Sequence, residues 1–140
     1  MENMNDSVPI DIKQKLAIAN TFVKAMKGND WDLMRSLMNE DINWTLPGES
    51  LLSGPANGID AVIHRAQSLK AFGVMFNLLH VLYGLYNVAI SLHNTGRRGE
   101  LILDEYVVIV FELENGKISK MTTHLSDVEG INKFFVAGII

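Results

Sequence analysis

Glu105 is the side chain best placed in this sequence to do chemistry. It lies in a run, 100–113, that alternates like a strand. Period-two alternation puts Leu103, Glu105, Val107, Ile109, Phe111 and Leu113 on one face and Asp104, Tyr106, Val108, Val110 and Glu112 on the other. If the first face lines a pocket, Glu105 is a carboxylate on an apolar wall, with Val107 and Ile109 as its apolar neighbours. Burial lifts such a carboxyl above its usual value of about 4.3, and it can then trade protons near neutral pH as general base or acid. A second reading stays open, in which Glu105 sits at the strand rim or a bulge turns it outward to pair with a Lys or Arg.

Other candidates are polar groups that could serve a ligand beside Glu105. His124 lies on the last strand and His80 on an earlier one, and an imidazole in a pocket can shuttle a proton or anchor a polar atom. A hydrogen-bonded structural role stands beside that reading for both. In the run 42–46, Asn43 and Thr45 share one face, and Ile42, Trp44 and Leu46 share the other. Asn43 can orient a water, and Trp44 can form an aromatic pocket wall or fill core. Met121, Thr123 and Leu125 alternate against Thr122 and His124, while Ile118 fits the opposite phase, so a bulge is expected there. The ligand-contacting set is therefore Asn43, Trp44, Thr45, His80, Val107, Ile109 and Thr123, with Glu105 and His124 as the catalytic pair. His64 and His93 read as surface residues. No two histidines have helical ligand spacing and no carboxylate–histidine cluster stands out, so neither a metal nor a cofactor is expected. Gly48, Gly54 and Gly58 lack the spacing and the lysine of a phosphate-cradling loop.

These side chains need elements to hold them. Asp11 to Lys27 has the apolar spacing of an amphipathic helix, with Gly28 as its left-handed stop. Asp30 can cap a short second helix. A strand at 42–46 ends at Pro47-Gly48, and a third helix follows over about Ile59–Phe72. After Gly73 the chain turns to Val, Ile, Leu and Tyr, with strands expected near 75–83, 86–94, 100–113 and 117–126. Gly84, Asn94-Thr95-Gly96 and Asn115-Gly116 are the expected turns, with Arg97-Arg98 solvated in the second. Ser126-Asp127-Val128-Glu129 opens a last short helix, and Asp127 reads chiefly as its cap. The first nine residues read as a loose polar tail. The apolar ending Phe134–Ile140 is expected to pack on the core or across a dimer.

Helices first and antiparallel strands afterwards give an α+β domain, with helices covering one face of a curved sheet around a pocket. The 140 residues fit one domain, 1–140, with its core over about 11–135. Hydrophobic residues make up 48 %, enough for a sizeable core, and a net charge of −4 argues against nucleic acid. There is no cysteine, hence no disulfide or thiolate chemistry. No run is long and unbroken enough for a membrane span and no signal peptide is evident, so a cytoplasmic protein is expected.

The segment Trp44-x-x-Pro47-Gly48, Ser50, Gly54 and Gly58-x-Asp60-Ala61-Val62 resembles the first strand, loop and third helix of SnoaL-like proteins of the NTF2-like superfamily. Thr95-Gly96-Arg97-Arg98 and Gly116-Lys117-Ile118, followed by Asp127, resemble that group's later hairpins and exit. The resemblance covers about residues 11–135. It implies an NTF2-like cone, a pocket and a homodimer paired through the outer sheet, which the apolar Tyr106, Val108 and Val110 independently suggest. It includes ketosteroid isomerase, polyketide cyclases and limonene-epoxide hydrolase, so it implies no one activity. The hydrolase's water-positioning Tyr and Asn correspond here to Asn43 and Thr45. The places of its Asp-Arg-Asp set hold Ala89, Ser91 and Thr123, so epoxide hydrolysis by that route is not expected. The cyclases' late Asp base corresponds best to Asp127. The expected function is acid–base isomerisation, cyclisation or hydration of a small apolar molecule. The alternatives are a non-catalytic binding module and a protein-interaction domain.

Overall fold

The computed structural model describes residues 11–137, so the expected N-terminal tail and residues 138–140 lie outside it. Helix α1 (Ile12–Gly28) starts where Asp11 accepts the Gln14 N–H at 2.9 Å. Its inward stripe is Ile18, Ala19, Phe22, Val23 and Met26, while Leu16, also in the apolar pattern, is exposed. The helix runs through Gly28, and it is Asn29, at φ 55°, that takes the left-handed stop and returns its N–H to Ala25 and Met26. Asn tolerates that conformation better than other residues with a side chain, because its short amide can bond locally. Helix α2 (Trp31–Ser36) is capped by Asp30, as expected.

Strand β1 (Met38–Leu46) is longer than its apolar core suggested, and a bulge between Met38 and Asn43 accommodates the polar Asn39-Glu40-Asp41. Strand β2 (Gly54–Asn57) was not expected. It is four residues long and pairs only with β1, which lets an edge strand carry Pro55. Helix α3 (Ile59–Ala71) follows, then β3 (Met75–Tyr83), β4 (Asn87–Arg98), β5 (Leu101–Glu114), β6 (Lys117–Leu125) and α4 (Val128–Phe134).

The strands form one sheet in the order β2-β1-β6-β5-β4-β3, antiparallel except for the β1–β6 pair. The result is an α+β cone, with α1 against β3 and β4, α3 against β1 and β2, and α4 against β5. The inner face is apolar. Phe22 of α1 meets Phe111 of β5 at 4.9 Å between ring centroids. Each such ring contributes roughly 1.5–3 kcal/mol by leaving water.

Two buried cations pin loops to this frame. Lys15 donates to the carbonyls of Gly84 and Leu85 at 2.6 and 2.9 Å, fixing the β3–β4 turn. Arg65 donates to the carbonyls of Trp44 and Gly54 at 2.7 and 2.8 Å, tying the end of β1 to the start of β2. Burial pushes the Arg65 guanidinium below its usual value.

The β4–β5 turn falls at Gly99-Glu100, not at Asn94-Thr95-Gly96. Gly96 is a strand residue for a packing reason: a Cβ there would stand 3.0 Å from Cζ of Phe134. Arg98 is not simply solvated. Its guanidinium lies 4.1 Å from the Phe72 ring centroid and donates to the carbonyls of Phe134 and Val136.

Candidate functional site

Strand β5 alternates as its sequence requires, so Leu103, Glu105, Val107, Ile109 and Phe111 are buried. Glu105 is 3 % exposed and lines a cavity of ≈ 40 Å³ between the sheet and the helices. Trp44, Val107, Ile109 and Thr123 line the same cavity, together with Phe22 and Met26 of α1 and Phe135 after α4. That volume is room for a few water molecules.

Three polar side chains face this apolar space: Asn94, Glu105 and Thr123. Asn94 is the register partner of Glu105 across β4 and β5, so the two sit side by side on the inner wall. Asn94 Oδ1 and Glu105 Oε1 are both buried and find no hydrogen-bond partner among the described residues. Glu105 is pushed up from 4.5 to about 7, chiefly because burial penalises its charge. The backbone N–H of Asp127 pulls it down, and the Asp127 carboxylate adds a smaller push upward. A carboxyl at that value is half ionised at neutral pH, where it can both accept and return a proton. Thr123 accepts the Trp44 indole N–H at 2.7 Å, which leaves the hydroxyl proton free to turn toward the cavity.

Four expected site residues lie elsewhere. His124 is exposed on the opposite face of β6 from Thr123. Alternation allows one of those neighbours to point inward, and the apolar Met121 and Leu125 share the Thr123 phase. Asn43 and Thr45 flank Trp44 in the same way, and the buried Ile42, Trp44 and Leu46 take the inner face. His80 is exposed opposite Ser91, after a bulge between Leu78 and His80. All four belong to the outer sheet face. There His93 also pairs with Asp104 at 2.6 Å and stacks on Tyr106 with ring centroids 4.8 Å apart.

Asp127 caps α4, accepting the Gly130 N–H at 2.9 Å, and stands beside Glu105 rather than inside the cavity. Asn94 is the polar wall residue that the sequence did not reveal. Its signal was the Gly99-Glu100 turn: counting back from it sets Asn94 opposite Glu105. Among the described residues, no group of three or more His, Cys, Asp or Glu side chains could hold a metal ion. No helix among them is long and apolar enough to cross a membrane.

No family sequence model and no curated protein matches this sequence. Solved structures do match. Bal32a, from a soil-derived mobile gene cassette, is 26 % identical, with a TM-score of 0.84 over 88 % of this chain and 97 % of that one. An NTF2-like protein from Burkholderia xenovorans LB400 is 19 % identical, with a TM-score of 0.77 over 89 % of this chain and 98 % of its own. The chain has the NTF2-like fold. A protein from Jannaschia sp. CCS1, provisionally assigned as a SnoaL-like polyketide cyclase, shares it at 16 % identity and a TM-score of 0.72, over 90 % of this chain and 94 % of that one. In this NTF2-like chain the carboxylate, amide and hydroxyl all face the inside of the cone.

Proposed function

We propose that the cavity takes a small, largely apolar molecule and that Glu105 exchanges a proton with it, as in an isomerase or cyclase. The observation that carries this reading is the Glu105 carboxyl, buried in an apolar wall, with one oxygen unpartnered and its pKa raised to about 7. A carboxyl perturbed by burial on the wall of a cavity is a candidate functional group. The polyketide-cyclase and ketosteroid-isomerase assignments of other structures with this fold lend support. Asn94 and Thr123 then position the molecule by hydrogen bonds, and Trp44, Val107 and Ile109 hold its apolar body. The cavity is small, so the molecule is small too, or the helices part to admit a larger one.

The test is proton exchange with solvent. Small apolar carbonyl and nitrogen compounds are incubated with the protein in D2O and followed by NMR for deuterium gained at carbon. One or more should exchange faster than in buffer, and Glu105→Gln should lower that rate at least about 100-fold. Exchange that survives the substitution would remove Glu105 from the mechanism.

We also infer a homodimer through the outer sheet face. Tyr106 is 57 % exposed there, and Val108 and Val110 beside it are only half-buried. Apolar residues in that number on one sheet face suit a second copy better than water.

A further inference from the structure

We propose that the head group recognised in this cavity is a protonated nitrogen, and that the ligand is a short-chain, otherwise apolar amine. The inference rests on the reading that the cavity takes a small molecule at Glu105, and it names the class of that molecule.

The argument starts from what the wall lacks. Asn94 and Glu105 are opposed across β4 and β5, and opposed residues have Cβ atoms about 4.5–5.5 Å apart. Each presents a buried oxygen with no partner. A buried acceptor without a donor is costly, and native structures rarely leave two together. With Glu105 ionised, both oxygens call for a donor from outside the wall. A ketone or ester brings only further acceptors to this end of the cavity. An alcohol brings one proton and can satisfy one of the two oxygens. An ammonium brings three N–H donors on one atom and can satisfy both at once.

Charge favours the same class. Among the described residues, Glu105 is the one titratable side chain lining the cavity, and the ionisable group beside it, Asp127 from the β6–α4 turn, is also acidic. Neither Lys15 nor Arg65 reaches this space, since both are committed to backbone carbonyls. A cation bound between Asn94 and Glu105 thus meets attraction only, and its hydrogen bonds are charge-assisted. The remaining wall is apolar, with Phe22, Leu92, Val107 and Ile109 suited to an alkyl body. A volume of ≈ 40 Å³ limits that body to a few carbons.

The probes are n-propylammonium chloride and 1-propanol, matched in size and given at equal ionic strength. The readout is the carboxyl 13C signal of Glu105 across a pH series, with and without each probe. The ammonium should bind the ionised carboxylate, so its affinity should be about five- to tenfold higher at about pH 8 than at about pH 6. The Glu105 midpoint should fall by about one unit or more when the site is saturated. By calorimetric titration, Glu105→Gln should bind the ammonium at least about tenfold more weakly than the parent, while an unchanged circular dichroism spectrum and thermal midpoint at about pH 5 show that the variant stays folded.

The proposal is overturned if the ammonium does not bind, if its affinity is flat with pH, or if 1-propanol binds as tightly. A free-protein midpoint near 7 with no ammonium binding rejects the amine and keeps proton exchange at Glu105. A midpoint near 4.5 rejects the underlying reading as well.

Discussion

The indole N–H of Trp44 donates to Oγ1 of Thr123 at 2.7 Å, across 79 residues of sequence and between two buried side chains. An indole nitrogen is only a donor, so this bond fixes the Thr123 oxygen as acceptor and leaves its proton for the cavity. One contact thus sets both the β1–β6 seam and the polarity of the cavity wall.

Thr123→Val keeps the shape and strands the indole N–H. The expected loss is about 1–3 kcal/mol of stability, the cost of a buried donor without a partner. Thr123→Ser retains the hydroxyl and should recover most of the hydrogen-bond contribution, losing about 1 kcal/mol for the missing methyl. Urea unfolding of the three proteins checks this. A Val variant as stable as the parent would mean that water or another group replaces the hydroxyl.

Glu105 makes stability depend on pH in an unusual direction for a carboxyl. Its folded value is about 7 against an ordinary 4.5, so the folded state binds more protons than the unfolded state between those two values. Stability contributed by the protonated form is complete below about pH 4.5 and is lost as pH rises through 7. The expected loss is about 3 kcal/mol. Glu105→Gln removes the titration, so it should match the parent near pH 4.5 and exceed it at about pH 8. Denaturation midpoints of both proteins across that range test the sign. A parent that grows more stable through this window relative to the variant would contradict the burial argument.

Period-two patterning carried most of the site that was legible in sequence. It placed Glu105, Val107 and Ile109 on one face of β5, and that face is the cavity wall. The α+β order, the positions of the four described helices and the Asn115-Gly116 turn were legible for similarly local reasons. What escaped was set by packing between distant segments. Asn94 and Gly96 look like turn residues, but the Phe134 ring occupies the space beside Gly96 and holds it in β4. That misplaced turn hid Asn94, the partner of Glu105. His124 and Thr123 are neighbours on one strand, so only one can face inward, and the sequence gives a polar residue at each. The guanidinium of Arg98 is committed to the C-terminal segment, a partner 36 residues away that no local pattern reveals.

Arg98 should matter more than a turn arginine. Its Nη1 donates to the Phe134 carbonyl at 2.8 Å and the Val136 carbonyl at 3.1 Å, and its plane covers Phe72. Phe135, between those carbonyls, lines the cavity. Arg98→Ala should cost about 2–3 kcal/mol, from two charge-assisted bonds and the lost stacking. Arg98→Lys keeps the charge but not the planar fork, and should recover less than half. Hydrogen exchange should quicken across α4 in the Ala variant before it quickens in β5. Equal exchange in the two elements would show that Arg98 does not hold this segment in place.

The outer sheet offers the last test. Val110 lies there between Ala89 of β4 and Thr122 of β6, half-buried on the face that carries Tyr106. In a two-fold dimer through this face, one substitution changes both sides of the contact. Val110→Lys puts a charge from each copy into that apolar contact. It should convert a dimer to a monomer, and light scattering after size exclusion would read the halved mass. The side chain points away from the cavity, so the Glu105 midpoint should stay near 7 in the monomer. A parent protein that is monomeric at about 100 µM would end the dimer reading, and the apolar face would then need a different partner.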